Sequence, residues 1–450
     1  MAIGTDLPAA ATARPAPLAL PQGAAARARA SAVPLWYLYS AVVALVLFCT
    51  SLIVLAPEAM DSTLTPHVLA AIHLATLGML TTAIIGALWQ LLPVILVVPA
   101  PAAWISRAHY PLWLAGVTAL VAGFWTNWWP ALAAGGSLVV LGAILFAAVM
   151  GGMIARAPRR PLAAYFVSAG LLYLVLVVLG GLALAVDLQT GFLGDRLLRL
   201  LPAHLLLGFT GWGIGTVMGV SYKLAPMFAL AHVQDERPGW LCFGLLNGGL
   251  AALAAGLLIG AHLAVCLAPA ALIVLAMLVF AGDTVRILRS RHKKVLEPTQ
   301  WHALAGLGFL LVCGMATLRA ATGGPGWWLD GRTATTLGLL FLLGFVAQTI
   351  MGYLYKIVPF LVWNRRYAPL VGRQRVPLMR DMVHERAAWL TFWLYNGGLI
   401  CLLVAVLWER GLVGAAASVV ALATWIFGAN LAAVLYPKSR RSRDDRATHA

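Results

Sequence analysis

The chain carries little charge. Of its 450 residues only 10% are Asp, Glu, Lys or Arg, whereas 62% are hydrophobic, and the mean hydropathy is +0.89. A soluble domain normally has about 25% charged residues, so this composition excludes an ordinary soluble protein. Apolar runs of about 20 residues, the length that crosses a bilayer core, recur along the chain. The sequence therefore predicts an all-α integral membrane protein that is surrounded by the lipid bilayer.

Several signatures of catalysis are also missing. The five cysteines occur singly in apolar stretches without a C-x-x-C pair, and we expect them to be small buried hydrophobic residues. The chain has no P-loop, no G-x-S-x-G nucleophile elbow and no H-E-x-x-H zinc helix. No carboxylate lies in the middle of an apolar run, so the buried acid chain of a typical proton-coupled carrier is absent from the sequence.

The net charge of +16 does not indicate a nucleic-acid partner, because the sequence has no basic, aromatic-rich soluble domain. The basic residues lie between apolar segments, where positive charge marks the cytoplasmic side of a membrane protein. We therefore expect a multi-pass protein of a bacterial-type inner (cytoplasmic) membrane with both termini cytoplasmic. The residues that carry this bias are Arg156, Arg159, Arg160, Arg286, Arg289, Arg291, Lys293, Lys294, Arg365, Arg366, Arg373, Arg375, Arg380 and Arg386.

An octapeptide pattern, Gly-x-x-[Trp/Tyr]-[Gln/Lys]-[Leu/Ile]-x-Pro, occurs three times. Its copies begin at Gly86, Gly219 and Gly352, so each step is 133 residues (219 − 86 and 352 − 219). Equal spacing indicates an internal repeat. In each copy, glycine allows a close approach between helices, the aromatic residue suits the membrane interface, and proline ends or kinks the helix.

The apolar runs predict 12 transmembrane helices in three pseudo-threefold four-helix units. The membrane domain covers 34–436, with repeat units at about 34–155, 163–285 and 301–436. We expect residues 1–33 to form a disordered cytoplasmic leader and residues 437–450 to form a cytoplasmic tail. The seventh and eleventh spans share the pattern Leu-x-Asn-Gly-Gly-Leu, around Asn247 and Asn396. The predicted spans are 34–56, 67–97, 110–126, 130–154, 163–186, 202–230, 239–261, 264–284, 301–320, 334–362, 387–408 and 412–436.

Histidines distinguish the repeat units from one another. His73 and His204 lie in the first turns of the second and sixth spans, whereas the third unit has Leu339 and Leu337 at the corresponding positions. An ionisable residue inside a span is expensive and usually marks a site, and imidazole is a common ligand of haem iron and copper. We expect His73 and His204 to bind a cofactor. The difference of two residues in their register leaves open whether the two rings face each other.

Two further histidines are candidate metal ligands at the same membrane depth. His67 begins the second span and His262 ends the seventh. One hypothesis is a metal site formed by His67, His73, His204 and His262. The alternative is that His67 and His262 are interfacial residues only. We expect the remaining histidines to lie in solvated loops or among lipid headgroups. These are His109, His232, His292, His302, His384 and His449.

The architecture resembles the catalytic subunit I of the haem-copper oxidases and nitric oxide reductases. The run from His204 through Gly208, Gly211, Trp212, Gly219 and Tyr222 to Pro226 is similar to the corresponding helix of the C-type oxidases. The NnrS family, whose members are multi-span haem and copper proteins linked to nitric oxide metabolism, is similar as well. The resemblance covers the twelve spans. It implies a low-spin haem ligand at His73 and a copper ligand at His204.

The sequence also departs from the oxidase pattern. The tenth span, from about Ala334 to Phe360, has no histidine where the oxidases have His-x-His, and the seventh has only His262 where they have a pair. Gly208 stands where many oxidases have the active-site tyrosine. A complete oxygen reductase is therefore not expected, and the catalytic residues stay unknown.

Two classes of function follow from these observations. The first is a protein that binds haem b, copper or both, possesses an oxidase-like fold, and serves nitric oxide or respiratory electron metabolism with a cytochrome c or another respiratory subunit as partner. The second is a cofactor-free transporter, or an accessory or assembly subunit, on the same fold. A transport pathway would be lined by polar and aromatic residues of the repeated spans, namely Trp89, Gln90, Trp212, Lys223, Gln348 and Lys356.

Overall fold

The computed structural model describes residues 32–231, 235–292, 295–323 and 326–436. Within these residues it has twelve long helices and no strand beyond one isolated bridge between Ala231 and Arg291. Eleven of the helices are long and apolar enough to cross a membrane. The prediction of an all-α protein is confirmed, and the helices are compatible with a multi-pass membrane protein. Residues 1–31 of the predicted leader, the predicted tail, His232, Lys293, Lys294 and His449 lie outside the described residues.

The helices are numbered here in chain order. They are α1 Ala32–Ala59, α2 Pro66–Leu96, α3 Ala103–Trp125, α4 Trp129–Arg156, α5 Leu162–Thr190, α6 Gly194–Ala229, α7 Arg237–Ile259, α8 Leu263–Arg289, α9 Pro298–Ala321, α10 Gly331–Arg366, α11 Glu385–Trp408 and α12 Arg410–Ala433. Helix α3 is the one that does not meet the hydropathy criterion for a span, and it begins at Ala103 rather than near residue 110.

Helices α2, α6 and α10 each contain a π-helical segment in the middle. The segments are Leu74–Thr81, Leu207–Gly215 and Leu340–Ala347. Their first residues are separated by the same 133 residues as the octapeptides (207 − 74 and 340 − 207). The repeat seen in the sequence is therefore also a repeat of backbone geometry, and π segments occur frequently at functional sites.

The three π-containing helices pack against one another. The ring centroids of Phe209 and Phe341 are 4.7 Å apart, and the Tyr353 hydroxyl donates to Ser221 Oγ at 2.6 Å. Both pairs link residues 132 positions apart (341 − 209 and 353 − 221), so α6 and α10 run side by side in the same direction. The π segments in the middle of α6 and α10 are largely buried in the protein interior.

The octapeptide glycines sit where a neighbouring helix approaches most closely. A Cβ atom at Gly86 would lie 2.6 Å from Tyr37 Cβ of α1, and one at Gly219 would lie 2.2 Å from Phe166 Cβ of α5. At Gly352 it would lie 3.0 Å from His302 Cβ of α9. The first helix of each predicted unit therefore packs on the second in the same way. The grouping of all twelve helices into three units stays a prediction.

Both copies of the Asn-Gly-Gly pattern have the same hydrogen-bonding role. Asn247 Nδ2 donates to the carbonyl of Phe243 and Asn396 Nδ2 to that of Phe392, four residues earlier in each case. Asn247 Oδ1 of α7 then accepts from the Tyr173 hydroxyl of α5, and Asn396 Oδ1 of α11 accepts from Gln348 Nε2 of α10. The asparagines thus join helices through partly buried amide groups.

The first and last helices are joined by an ion pair at their ends. Arg410 donates from both terminal nitrogens to the two carboxylate oxygens of Asp61, and also to the carbonyl of Pro57 at 2.9 Å. The hydrogen bonds from Arg410 lower the pKa of the Asp61 carboxyl. Bidentate pairs of this kind are geometrically specific, so the contact fixes the start of α12 against the end of α1.

Replacing Gly219 with Ala is expected to destabilise the protein by about 1–3 kcal/mol, the usual range for overpacking a core, because the new methyl group would overlap Phe166. The measurement is the thermal midpoint of the purified protein in detergent. Gly244→Ala in α7 is the matched control, since nothing lies within 4 Å of a Cβ there. Equal midpoints for the two variants would contradict the close approach.

Because of the Asp61–Arg410 pair, the thermal stability of the protein should decrease as the pH falls. A carboxyl group whose pKa is lowered on folding stabilises the fold above its unfolded pKa of about 3.9, and this contribution disappears as the pH falls. The thermal midpoint of wild type should exceed that of Asp61→Asn at neutral pH and low salt, and the difference should vanish in acid. A difference that persists in acid would show that the ion pair is not its source.

Candidate functional site

His73 and His204 lie on neighbouring parallel helices. The Trp212 Nε1–H group of α6 donates to Thr81 Oγ1 of α2 at 3.0 Å. His73 lies eight residues before Thr81, and His204 lies eight residues before Trp212 (81 − 73 and 212 − 204). The two imidazoles are therefore at the same depth along the two helices. They are also near enough to interact electrostatically. The structure therefore brings the two predicted cofactor ligands to one place.

Each histidine lies just before the π segment of its helix, which begins at Leu74 in α2 and at Leu207 in α6. Between the histidines and the octapeptides, both helices leave the α-helical period. Thr81 and Thr82 donate to carbonyls five residues earlier, at Thr76 and Leu77, as π-helical spacing requires. The angular positions of His73 and His204 consequently cannot be calculated from an α-helical period.

The threonines at the end of the first π segment anchor two neighbouring helices. Thr81 accepts from Trp212 of α6, and Thr82 accepts from the Trp113 Nε1–H group of α3 at 2.9 Å. Because each hydroxyl also donates to a carbonyl of α2, both groups are satisfied within the protein. This requirement is strict in a bilayer, where no water replaces a missing partner. These hydrogen bonds thus fix α2 to α3 and α6 at the end of its π segment.

Each imidazole is oriented by a backbone carbonyl. His73 Nδ1 is 2.7 Å from the carbonyl oxygen of Leu69, and His204 Nδ1 is 3.0 Å from that of Val177 in α5. A carbonyl only accepts hydrogen bonds, so Nδ1 carries the proton of each neutral ring and Nε2 presents a lone pair. Metal-binding histidines almost always have this arrangement, with the second nitrogen donating to a carbonyl or carboxylate.

Aromatic and glycine residues shape the space around the two rings. Phe124 of α3 stacks on His73, with 4.8 Å between centroids and 24° between planes. The His204 ring lies over Gly181, where a Cβ atom would be 2.9 Å from Cε1. Both histidines are partly buried. Glycine at 181 therefore makes room for the imidazole against α5.

The structure does not place His67 and His262 in the same role. His67 is exposed, with its ring 5.0 Å from that of Trp125 and Nδ1 4.0 Å from Glu58 Oε1. His262 is exposed and caps α8, accepting from the backbone N–H of Ala264 at 3.3 Å. In the described part of the chain, no three His, Cys, Asp or Glu side chains form a group that could hold a metal ion.

Two histidines that we expected in solvated or headgroup regions are buried, and that prediction was wrong for both. His109 is 5% exposed, with Nδ1 2.7 Å from the Tyr37 hydroxyl and Nε2 2.9 Å from the carbonyl of Gly142. His302 is fully buried, with Nδ1 bound to Gln348 Oε1. Helix α3 begins earlier than predicted, which draws His109 inside. The sequence feature that could have identified His302 as buried was Gln348, a polar residue in the middle of a span that needs a polar partner.

His292 and His384 are exposed, as expected. The residues proposed for a transport pathway do not share one environment. Trp212 and Gln348 are buried and hydrogen-bonded within the protein, whereas Lys223 is exposed. Lys356 forms an ion pair with Glu297 at the start of α9.

No protein-family model matches the chain, and a comparison with curated proteins gives no significant match. The case for the site therefore comes from its geometry, above all from two carbonyl-oriented imidazoles on adjacent helices.

The tautomers of the buried histidines can be measured by ¹⁵N NMR of the metal-free protein. We expect the proton on Nδ1 in His73 and His204, because carbonyls accept from that atom. His109 is the internal control and should carry it on Nε2, which faces the carbonyl of Gly142. Protonation of His73 or His204 on Nε2 would remove the ligand lone pair and contradict the assignment.

Proposed function

We propose that this protein is a membrane haem protein in which His73 and His204 would hold one haem b. The observation that supports it is the pair of imidazoles with Nδ1 tied to carbonyls and Nε2 free. The porphyrin supplies four of the six ligands of iron, so two histidines suffice. A copper ion is the second candidate, although two imidazoles alone leave it with fewer ligands than protein sites usually provide.

Bis-histidine ligation favours electron relay over gas chemistry. If both histidines held the iron through Nε2, a bound haem would supply electron transfer rather than gas binding. In our proposal the protein belongs to respiratory electron metabolism, and a cytochrome c or another respiratory subunit supplies or takes the electron. Nitric oxide binding would be possible only with one of the two histidines as ligand.

The wider setting of the proposal is a bacterial-type inner membrane, with both termini cytoplasmic and the helices in three oxidase-like units. The equal spacing of the three π segments and the three octapeptides supports the threefold arrangement. The distribution of arginine supports the orientation. His73 and His204 then lie toward the outer face.

The test is the optical spectrum of the protein purified from membranes, together with its iron and copper content. We expect a reduced b-type spectrum in wild type that is lost in His73→Ala and in His204→Ala. His67→Ala and His262→Ala are matched controls and should keep it, because these exposed residues have other contacts. A spectrum without haem bands and a preparation without copper would overturn the proposal in favour of a cofactor-free transporter or accessory subunit.

A neighbouring pair of glycines gives a finer variant for the same assay. Gly181→Ala would push a methyl group against His204 Cε1, whereas Gly180→Ala has its nearest contact at 3.8 Å. The first should weaken cofactor binding and the second should not. Equal binding in both would show that the His204 ring does not sit over α5 in the loaded protein.

A further inference from the structure

His302 of α9 belongs to a second buried polar cluster, separate from His73 and His204. Its side chain is fully buried, and so is that of Gln348, to which it is bound. The ring packs edge-on against Phe392, with 5.1 Å between centroids, and lies 6.1 Å from the ring of Tyr355. The cluster joins α9, α10 and α11 beside the third octapeptide.

The directions of the hydrogen bonds in this cluster are fixed from one end. The carbonyl of Phe392 can only accept a hydrogen bond, so Asn396 donates to it through Nδ2. The Oδ1 atom of Asn396 is then available as an acceptor. Gln348 therefore donates through Nε2 to that oxygen and presents its own Oε1 to the histidine. His302 must donate through Nδ1. Its Nε2 is left as a bare acceptor.

That acceptor has no partner among the protein atoms, although it is buried. The Tyr355 and Thr391 hydroxyls are likewise buried and have no partner at hydrogen-bonding geometry, although the Tyr355 phenol lies near both Thr391 and Asn430. Thr391 lies beside the Tyr355 phenol and precedes Phe392, which touches the His302 ring. One acceptor and two donors are thus unsatisfied in one region, which is unusual for buried polar groups.

His109 shows that a buried histidine of this fold can be fully satisfied. It lies beside Trp89 of the first octapeptide, with centroids 6.0 Å apart, as His302 lies beside Tyr355 of the third. Yet both nitrogens of His109 have protein partners, the Tyr37 hydroxyl and the carbonyl of Gly142. The unpaired nitrogen is therefore particular to His302.

We propose that His302, Tyr355 and Thr391 form an internal site for one water molecule. Water donates two hydrogen bonds and accepts two, so it can donate to His302 Nε2 and accept from both hydroxyls. Buried waters typically make about three such bonds to otherwise unsatisfied groups. The described residues contain no group of three His, Cys, Asp or Glu side chains that could hold a metal ion, which favours water over a metal at this site.

The first test is a high-resolution structure of the full chain in lipid nanodiscs. We expect a density peak within hydrogen-bonding distance of His302 Nε2 and of the Tyr355 or Thr391 hydroxyl. A direct hydrogen bond from Tyr355 to Nε2 with no peak, or a peak with the anomalous signal of a metal, would overturn the proposal.

The second test measures coupling through thermal midpoints. His302→Phe and Tyr355→Phe should together lower the midpoint by less than the sum of their separate losses, because either change already breaks the bridge. The control pair is His302→Phe with Tyr353→Phe, whose hydroxyl donates to Ser221 elsewhere, and these losses should add. Additive losses in the first pair would overturn the proposal.

If His302→Phe does not fold, the ¹⁵N resonance of His302 Nε2 can be followed in Tyr355→Phe and Thr391→Val. We expect it to shift in at least one of these variants, since each removes a donor to the shared water, and to stay unmoved in Tyr353→Phe. A resonance that is unmoved in Tyr355→Phe and Thr391→Val alike would overturn the proposal.

Discussion

In a bilayer a buried hydrogen-bonding group must find its partner inside the protein, because lipid provides none. This constraint accounts for the internal contacts of α2, α6 and α10. Trp212 donates to Thr81, Trp113 donates to Thr82, and Tyr353 donates to Ser221. Each bond joins two helices, so satisfying polar groups and fixing the helix arrangement are the same event. The glycines of the octapeptides then allow the backbones to approach closely.

The candidate site uses the same constraint for a different purpose. His73 and His204 each satisfy one ring nitrogen through a carbonyl and leave the other free. A histidine that only stabilised packing would be expected to pair both nitrogens, as His109 does. His109 therefore differs from His73 and His204, each of which has a hydrogen bond at only one ring nitrogen. His302 shares the free nitrogen but is fully enclosed, which suits a small internal ligand rather than a haem.

The sequence predicted the outline of the fold well. All twelve predicted spans correspond to helices, and the 133-residue period returns as the spacing of three π segments. The exceptions were two helix starts: α6 begins at Gly194 rather than at 202, and α3 begins at Ala103, where Arg107 and His109 interrupt the apolar pattern although the chain is already helical and partly buried. A hydrophobic run identifies the residues that can face lipid. Polar residues can still occur within a span on the side of the helix that packs against other helices.

The sequence by itself determined the membrane class, the positions of the spans, the repeat and the two histidines that distinguish its copies. Only the tertiary structure decided which histidines share a site. His73 and His204 lie at one level on neighbouring helices, whereas His67 and His262 remain exposed at helix ends. It also decided that His109 and His302 are interior residues. The physical reason is that the direction of a side chain depends on the accumulated turn of its helix and on the neighbours it meets, and neither is written in the spacing of residues along the chain.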